Sequence, residues 1–155
     1  MVESEFYLRQ FQRHIPFSPW NHIHERVWIG GSEIEYPESK FDAVISVFDW
    51  TTDTREDWLP RRGVPHISIP FSDGAHVPKP KVEMLADQVE FWNIRGSCLV
   101  RCQMGLNRSS LVVARWLMKH RGFTAGEAIS LIREKRSPDC LFNKEFVNYL
   151  LHKKD

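Results

Sequence analysis

The chain has 155 residues, 42% of them apolar and 26% charged, with a net charge of +1. That length suits one domain with a real core, and the near-neutral balance excludes a broad polybasic surface, so any phosphate affinity must be local. No apolar run approaches the roughly 20 residues of a membrane span, and Met1–Glu5 lacks a signal peptide's basic and apolar regions.

In chain order, residues 1–25 read as a peripheral arm. Phe6, Leu8 and Phe11 can lie on one short helix, and Pro16 and Pro19 then force an extended stretch. Phe17 and Trp20 are costly to leave in water, so the arm is expected to pack on a domain of residues 26–155. Four strands are expected there, at Arg26–Ile29, Ala43–Phe48, His66–Pro70 and Cys98–Cys102. The second is apolar almost throughout, as a strand covered on both faces requires.

Helical spacing alternates with these strands. Val82, Leu85, Val89 and Trp92 step by three and four, with Pro78 and Pro80 at the start and Gly96 past the end. Leu111–Met118 is apolar nearly all round and predicts a buried central helix. Thr124 and Glu127 form a capping box for the next helix, whose inner face carries Ile129 and Ile132. Asn143 can cap a last helix with Phe146, Val147, Leu150 and Leu151 inside. The alternation predicts a single α/β layered domain with a central, mostly parallel sheet flanked by helices.

The most informative segment is Leu99-Val100-Arg101-Cys102-Gln103-Met104-Gly105-Leu106-Asn107-Arg108-Ser109-Ser110. A strand, a cysteine, five residues, an arginine and a helix can build an anion cradle with a nucleophile at its bottom. The backbone N–H groups of Gln103, Met104, Gly105, Leu106, Asn107 and Arg108 can converge on a phosphate, and the helix adds its positive end. Arg108 can grip two phosphate oxygens with its planar fork. The same field favours the Cys102 thiolate; such settings lower a thiol pKa from about 8.5 to roughly 3.5–7.5. Gly105 is expected to let the loop curl without a side chain entering the cradle. The cradle would lie at the carboxyl end of a central strand, where such sheets bind ligands.

These residues resemble the Cys-x5-Arg signature of the cysteine-dependent protein tyrosine phosphatases, most closely the small dual-specificity branch. The resemblance runs from about Arg26 to Tyr149, with Gly30-Gly31-Ser32, Phe142-Asn143 and Phe146 as weaker points of likeness. It implies a phosphatase of that fold, acting on phosphotyrosine and phosphoserine or phosphothreonine in proteins or peptides through a phosphocysteine on Cys102. Ser109 falls at the family's hydroxyl position, where it would donate to the thiolate. Asp73, in Pro70-Phe71-Ser72-Asp73-Gly74-Ala75-His76, stands after a strand and 29 residues before Cys102, as the family's acid loop does. There it would protonate the leaving oxygen and afterwards activate water, worth about 10²–10⁴ in rate. Asp49, Asp53 and Asp57 are rivals for that role. His76 can assist substrate binding, and Trp50 and Trp58 can line a cleft or pack. No cofactor and no metal is expected.

Two residues depart from the common pattern. Arg101 stands where most members carry histidine; strand alternation turns it away from Cys102, so it must meet a carboxylate or reach solvent. Asn107 gives Gly-x-Asn-Arg, which is also similar to the cysteine-dependent RNA 5′-triphosphatases, though asparagine there can simply support the loop. Alternatives therefore stay open: an RNA 5′-triphosphatase or other phosphomonoester phosphatase, or a phospho-binding module without turnover. Nucleic acid is expected as a partner only under the first of these, and a membrane under none. Three cysteines, an odd number, fit a reducing compartment and a cytoplasmic location. Cys98 and Cys102, four apart on one strand, would lie about 13 Å apart, beyond disulfide reach.

Overall fold

The structure is a computed structural model and describes residues 16, 18–32, 40–48 and 64–153. The expected helix at Phe6–Phe11, Phe17, Trp50, Trp58 and the rival acids Asp49, Asp53 and Asp57 lie outside the described residues. A five-stranded sheet runs in the order β1–β2–β5–β3–β4. Its strands are β1 (Trp20–His24), β2 (Val27–Gly30), β3 (Ala43–Ser46), β4 (His66–Ser68) and β5 (Cys98–Arg101). The β1–β2 pair is antiparallel and the other three pairs are parallel. Among the described residues there are four helices: α1 (Lys79–Asn93), α2 (Arg108–Arg121), α3 (Ala125–Lys135) and α4 (Lys144–His152).

The expected strands are present, the first shifted by one residue to Val27–Gly30 and the other three shorter at their carboxyl ends. Pairing nonetheless continues past them: the Val47 amide donates to Arg101 O, Ile69 to Ser46 O and Phe71 to Val47 O. Such differences are of the size expected at element ends. Trp20–His24, within the stretch read as an arm, is the edge strand β1 of the same sheet.

Alternation divides the sheet cleanly. Val27, Ile29, Ile45, Val47, Cys98 and Val100 face one side, and side chains from all four helices join them in the main core. The other face carries Phe41, Val44 and Leu99 with Trp20 and Trp28. Helix α2 is the central one, as its composition predicts: every residue from Ser109 to Met118 is buried. Sealing Leu111, Val112, Val113 and Leu117 contributes about 1.5–3 kcal/mol each. Helix α3 begins with the expected capping box, Thr124 Oγ1 accepting from Glu127 N at 3.1 Å while Glu127 Oε1 accepts from Thr124 N at 2.8 Å. Asn143 caps α4 through Oδ1, which accepts from Glu145 N and Phe146 N.

Strand β5 lies between β2 and β3, with Arg101 level with both Gly30 and Ser46. The chain leaving its carboxyl end at Cys102 is therefore flanked by the ends of two neighbouring strands and leads into the start of α2. This is where parallel sheets of this kind hold ligands.

Candidate active site

Residues 102–107 link β5 to α2. The Cys102 amide still donates to Gly30 O at 3.3 Å; then the chain turns. Four successive carbonyls point outward and are satisfied there. Gln103 O accepts from both the amide and the hydroxyl of Ser32, each at 3.0 Å. Met104 O accepts from Arg136 Nη2 and Gly105 O from Arg136 Nε, both at 3.1 Å. Leu106 O accepts from the Leu141 amide at 2.9 Å. With the carbonyls turned away, the N–H groups of residues 103–107 are left on the inner side, and none donates to a backbone carbonyl among the described residues. Such an arrangement can serve as an anion nest.

Gly105 is required for a different reason from the expected one. Its φ is +70°, and a Cβ there would lie 2.6 Å from Arg136 Nη2 and 2.7 Å from Gly30 O. A side chain would collide with the brace behind the loop and not with the cradle.

Cys102 is 2% exposed, its sulfur 3.2 Å from the Ser109 hydroxyl. Burial pushes its thiol up, but the Arg108 guanidinium and hydrogen bonds from the Ser109 hydroxyl and amide outweigh that, and the thiol lies below its ordinary value. The Asp73 carboxylate opposes this more weakly, which puts it close enough for its charge to be felt at the sulfur. Arg108 donates through Nη1 to Phe71 O at 3.3 Å, while its Nε is buried without a hydrogen-bond partner among the described residues. A guanidinium edge held this way can meet an oxyanion.

Asp73 is 8% exposed. Asn107 Nδ2 donates to its Oδ2 at 3.0 Å and Asn143 Nδ2 to its Oδ1 at 2.8 Å. Asn107 thus supports the loop through its side chain. His76 is exposed further along the same segment.

Arg101 does not reach solvent. It is wholly buried on the face opposite Cys102. Its Nε donates to Ser46 Oγ at 2.9 Å, its guanidinium lies 5.5 Å from the Phe48 ring, and Ser46 Oγ is in turn 2.9 Å from His66 Nε2. Burial first and Arg101 second hold the His66 imidazole down at about 4, so it is neutral near pH 7.

Sequence reasoning assigned no role to Arg136, and to Asn143 only its cap. Arg136 is 8% exposed and also donates through Nη1 to Ser18 O and Asn21 Oδ1. No local feature of the sequence marks Arg136, because its burial and its partners arise only in the fold. For Asn143 the signal is the residue type, since aspartate caps as well but has no donor, and serine has one donor where Asn143 uses two.

The sequence profile of "Dual specificity phosphatase, catalytic domain" matches residues 32–155. This chain belongs to that family. Among curated proteins, the tyrosine-protein phosphatase cdc-14 of Caenorhabditis elegans is 32% identical over 74 residues, 47% of this chain and 10% of that protein. The chain thus corresponds to a small part of that relative's length. Among solved structures, Tk-PTP in the active form superposes with a TM-score of 0.73 at 25% identity, covering 89% of this chain and 99% of the other. Human DUSP28 gives 0.71 at 22% identity over 86% and 90%, a likeness of fold. No helix among the described residues is long and apolar enough to cross a membrane.

Proposed function

We propose that this dual-specificity phosphatase domain hydrolyses phosphoprotein esters, phosphotyrosine first and phosphoserine or phosphothreonine more slowly, through a phosphocysteine on Cys102. The observation that carries the reading is a buried thiol held below its ordinary value, at the floor of a loop whose amides face inward and whose carbonyls are tied back.

The chemistry follows from these positions. The Cys102 thiolate attacks phosphorus as the ester P–O bond breaks, and Asp73 gives its proton to the departing oxygen. Arg108 and the loop amides hold the equatorial oxygens, and electrostatic positioning of this kind carries most of the catalysis in phosphoryl transfer. Water then attacks phosphorus while the Asp73 carboxylate takes its proton. The S–P bond breaks and the electron pair returns to sulfur, where the Ser109 hydroxyl donates to it. A near-neutral domain and an Asn107 engaged with Asp73 supply no argument for the RNA 5′-triphosphatase reading.

Steady-state kcat/KM on a phosphotyrosine peptide, a phosphothreonine peptide and an RNA 5′-triphosphate end tests the substrate class. The expected order is the first above the second, with little on the third. A preference for the RNA end would overturn the assignment.

A further inference from the structure

Asp73 is gripped by two primary amides that come from distant parts of the chain. Asn107 is the last residue of the loop, immediately before Arg108. Asn143 is the N-cap of α4, 70 residues beyond Asp73 in the chain. Each of their polar side-chain atoms is used. Asn107 donates Nδ2 to Asp73 Oδ2, and its Oδ1 accepts from the Asn143 amide at 3.0 Å. Asn143 donates Nδ2 to Asp73 Oδ1 and to Gly74 O at 3.0 Å, while its Oδ1 caps α4. Neither amide can flip without breaking bonds on both sides, so the ring fixes the carboxyl in orientation as well as in place.

Structural glue would need only one of these contacts. A cap needs only Oδ1, and a tie between the acid segment and α4 is already made by Asn143 to Gly74 O. The two bonds to the carboxylate itself do something else: they refer its position to the residue preceding the phosphate-gripping arginine. Amide hydrogens neither give up nor take a proton at working pH, so they orient Asp73 without competing for the proton it transfers. Each carboxyl oxygen has about two lone-pair sites, so one remains on each for substrate or water.

We propose that Asn107 and Asn143 are positioning residues of the acid–base step, holding the Asp73 carboxyl at the leaving oxygen. The proposal rests on the reading of Asp73 as the acid. In the first half-reaction the Asp73 proton passes to the ester oxygen as the P–O bond breaks. In the second the same carboxyl takes a proton from water as the new P–O bond forms. The two amides keep their bonds to it throughout.

The test uses the whole chain and a series of aryl phosphates that differ in leaving-group pKa. Asn143→Ser keeps a good N-cap and removes both amide donors. Its kcat/KM should fall about 10- to 100-fold for a phenol of high pKa and much less for an activated phenol, with KM for the activated ester little changed. The plot of log kcat/KM against leaving-group pKa should steepen, as it does in Asp73→Asn. In the double variant, Asn143→Ser should add little to the loss already caused by Asp73→Asn. Asn107→Ser, which keeps the Asn143 side chain and its cap bonds to Glu145 N and Phe146 N, should steepen the same plot. Equal losses across all leaving groups in both serine variants, or additive losses in the double variant, would overturn the proposal. If Asp73→Asn itself leaves the plot unchanged, the reading of Asp73 fails instead, and the amide clamp with it.

Discussion

Cys98, Cys102 and Cys140 are each free and nearly sealed from solvent, so burial pushes all three thiols up. Cys98, with nothing to counter it, rises to about 12, and Cys140, 3.9 Å from Gly105 O, to about 11. Cys102 alone has a guanidinium and a hydroxyl strong enough to reverse the shift. Its partners then make separate predictions. Asp73→Asn should lower kcat by about 10²–10⁴ with little change in KM, and less for leaving groups of low pKa. A steady-state series across leaving groups measures this, and wild-type behaviour would remove Asp73 from the mechanism. Ser109→Ala takes away the donor that stabilises departing sulfur. Stopped-flow mixing with an activated aryl phosphate should show a burst followed by slow turnover, because phosphocysteine accumulates. At Arg101, an arginine with a hydroxyl and a ring against it is anchored in its own network. Arg101→His should therefore lower the melting temperature, measured by calorimetry, since Ser46 loses a charged donor in a buried site.

Three other segments hold the carbonyls of the loop of residues 102–107: Ser32, Arg136 and Leu141. Arg136 supplies two of those bonds from beyond α3. Removing it leaves two buried carbonyls unsatisfied, at about 1–3 kcal/mol each, and frees the loop to rotate amides out of the cradle. Arg136→Ala should weaken inhibition by vanadate and lower kcat together, whereas a purely structural loss would lower thermal stability and leave vanadate affinity intact in the folded fraction. The local part of this element was legible in the sequence. A strand, a cysteine at its end, a glycine and an arginine opening a helix all fall between residues 98 and 108. The braces were not legible, because Arg136 lies 31 residues from Gly105 and Asn143 lies 70 from Asp73, and periodicity carries no information at that range. The edge strand β1 escaped for another reason. Of Trp20–His24 only Ile23 is fully buried, so Trp-Asn-His-Ile-His shows no apolar alternation, and two prolines precede it.

At the scale of the whole molecule, the layered α/β order was readable because Leu111–Met118 of α2 is apolar nearly all round and the run Ala43–Val47 is apolar nearly throughout, as elements buried on all sides require. What the order did not reveal is the polar layer on the far side of the sheet, where Arg101, Ser46 and His66 lie in sequence-distant strands. That layer makes stability depend on pH. His66 binds a proton at about 6.5 in the unfolded chain but only at about 4 when folded, so a proton favours unfolding. Its contribution is complete above about pH 6.5 and is lost as pH falls from there toward 4, a change on the order of 2–3 kcal/mol. In His66→Gln the urea midpoint should vary much less between about pH 6.5 and 4.5 than in the wild type. Glu25, held down at about 2 by Arg121 and Asn93, acts lower, losing its contribution as pH falls from about 4.5 toward 2.

In the proposed mechanism phosphate passes through sulfur at one residue, Cys102. Acid quenching of the Ser109→Ala protein during turnover of an activated aryl phosphate, followed by mass spectrometry of its peptides, tests this most directly. The account predicts one added phosphoryl group on the peptide carrying Cys102, none on those carrying Cys98 or Cys140, and no turnover in Cys102→Ser, which should still bind the phosphorylated ligand. Undiminished turnover in Cys102→Ser, with no phosphoryl group on that peptide, would contradict it.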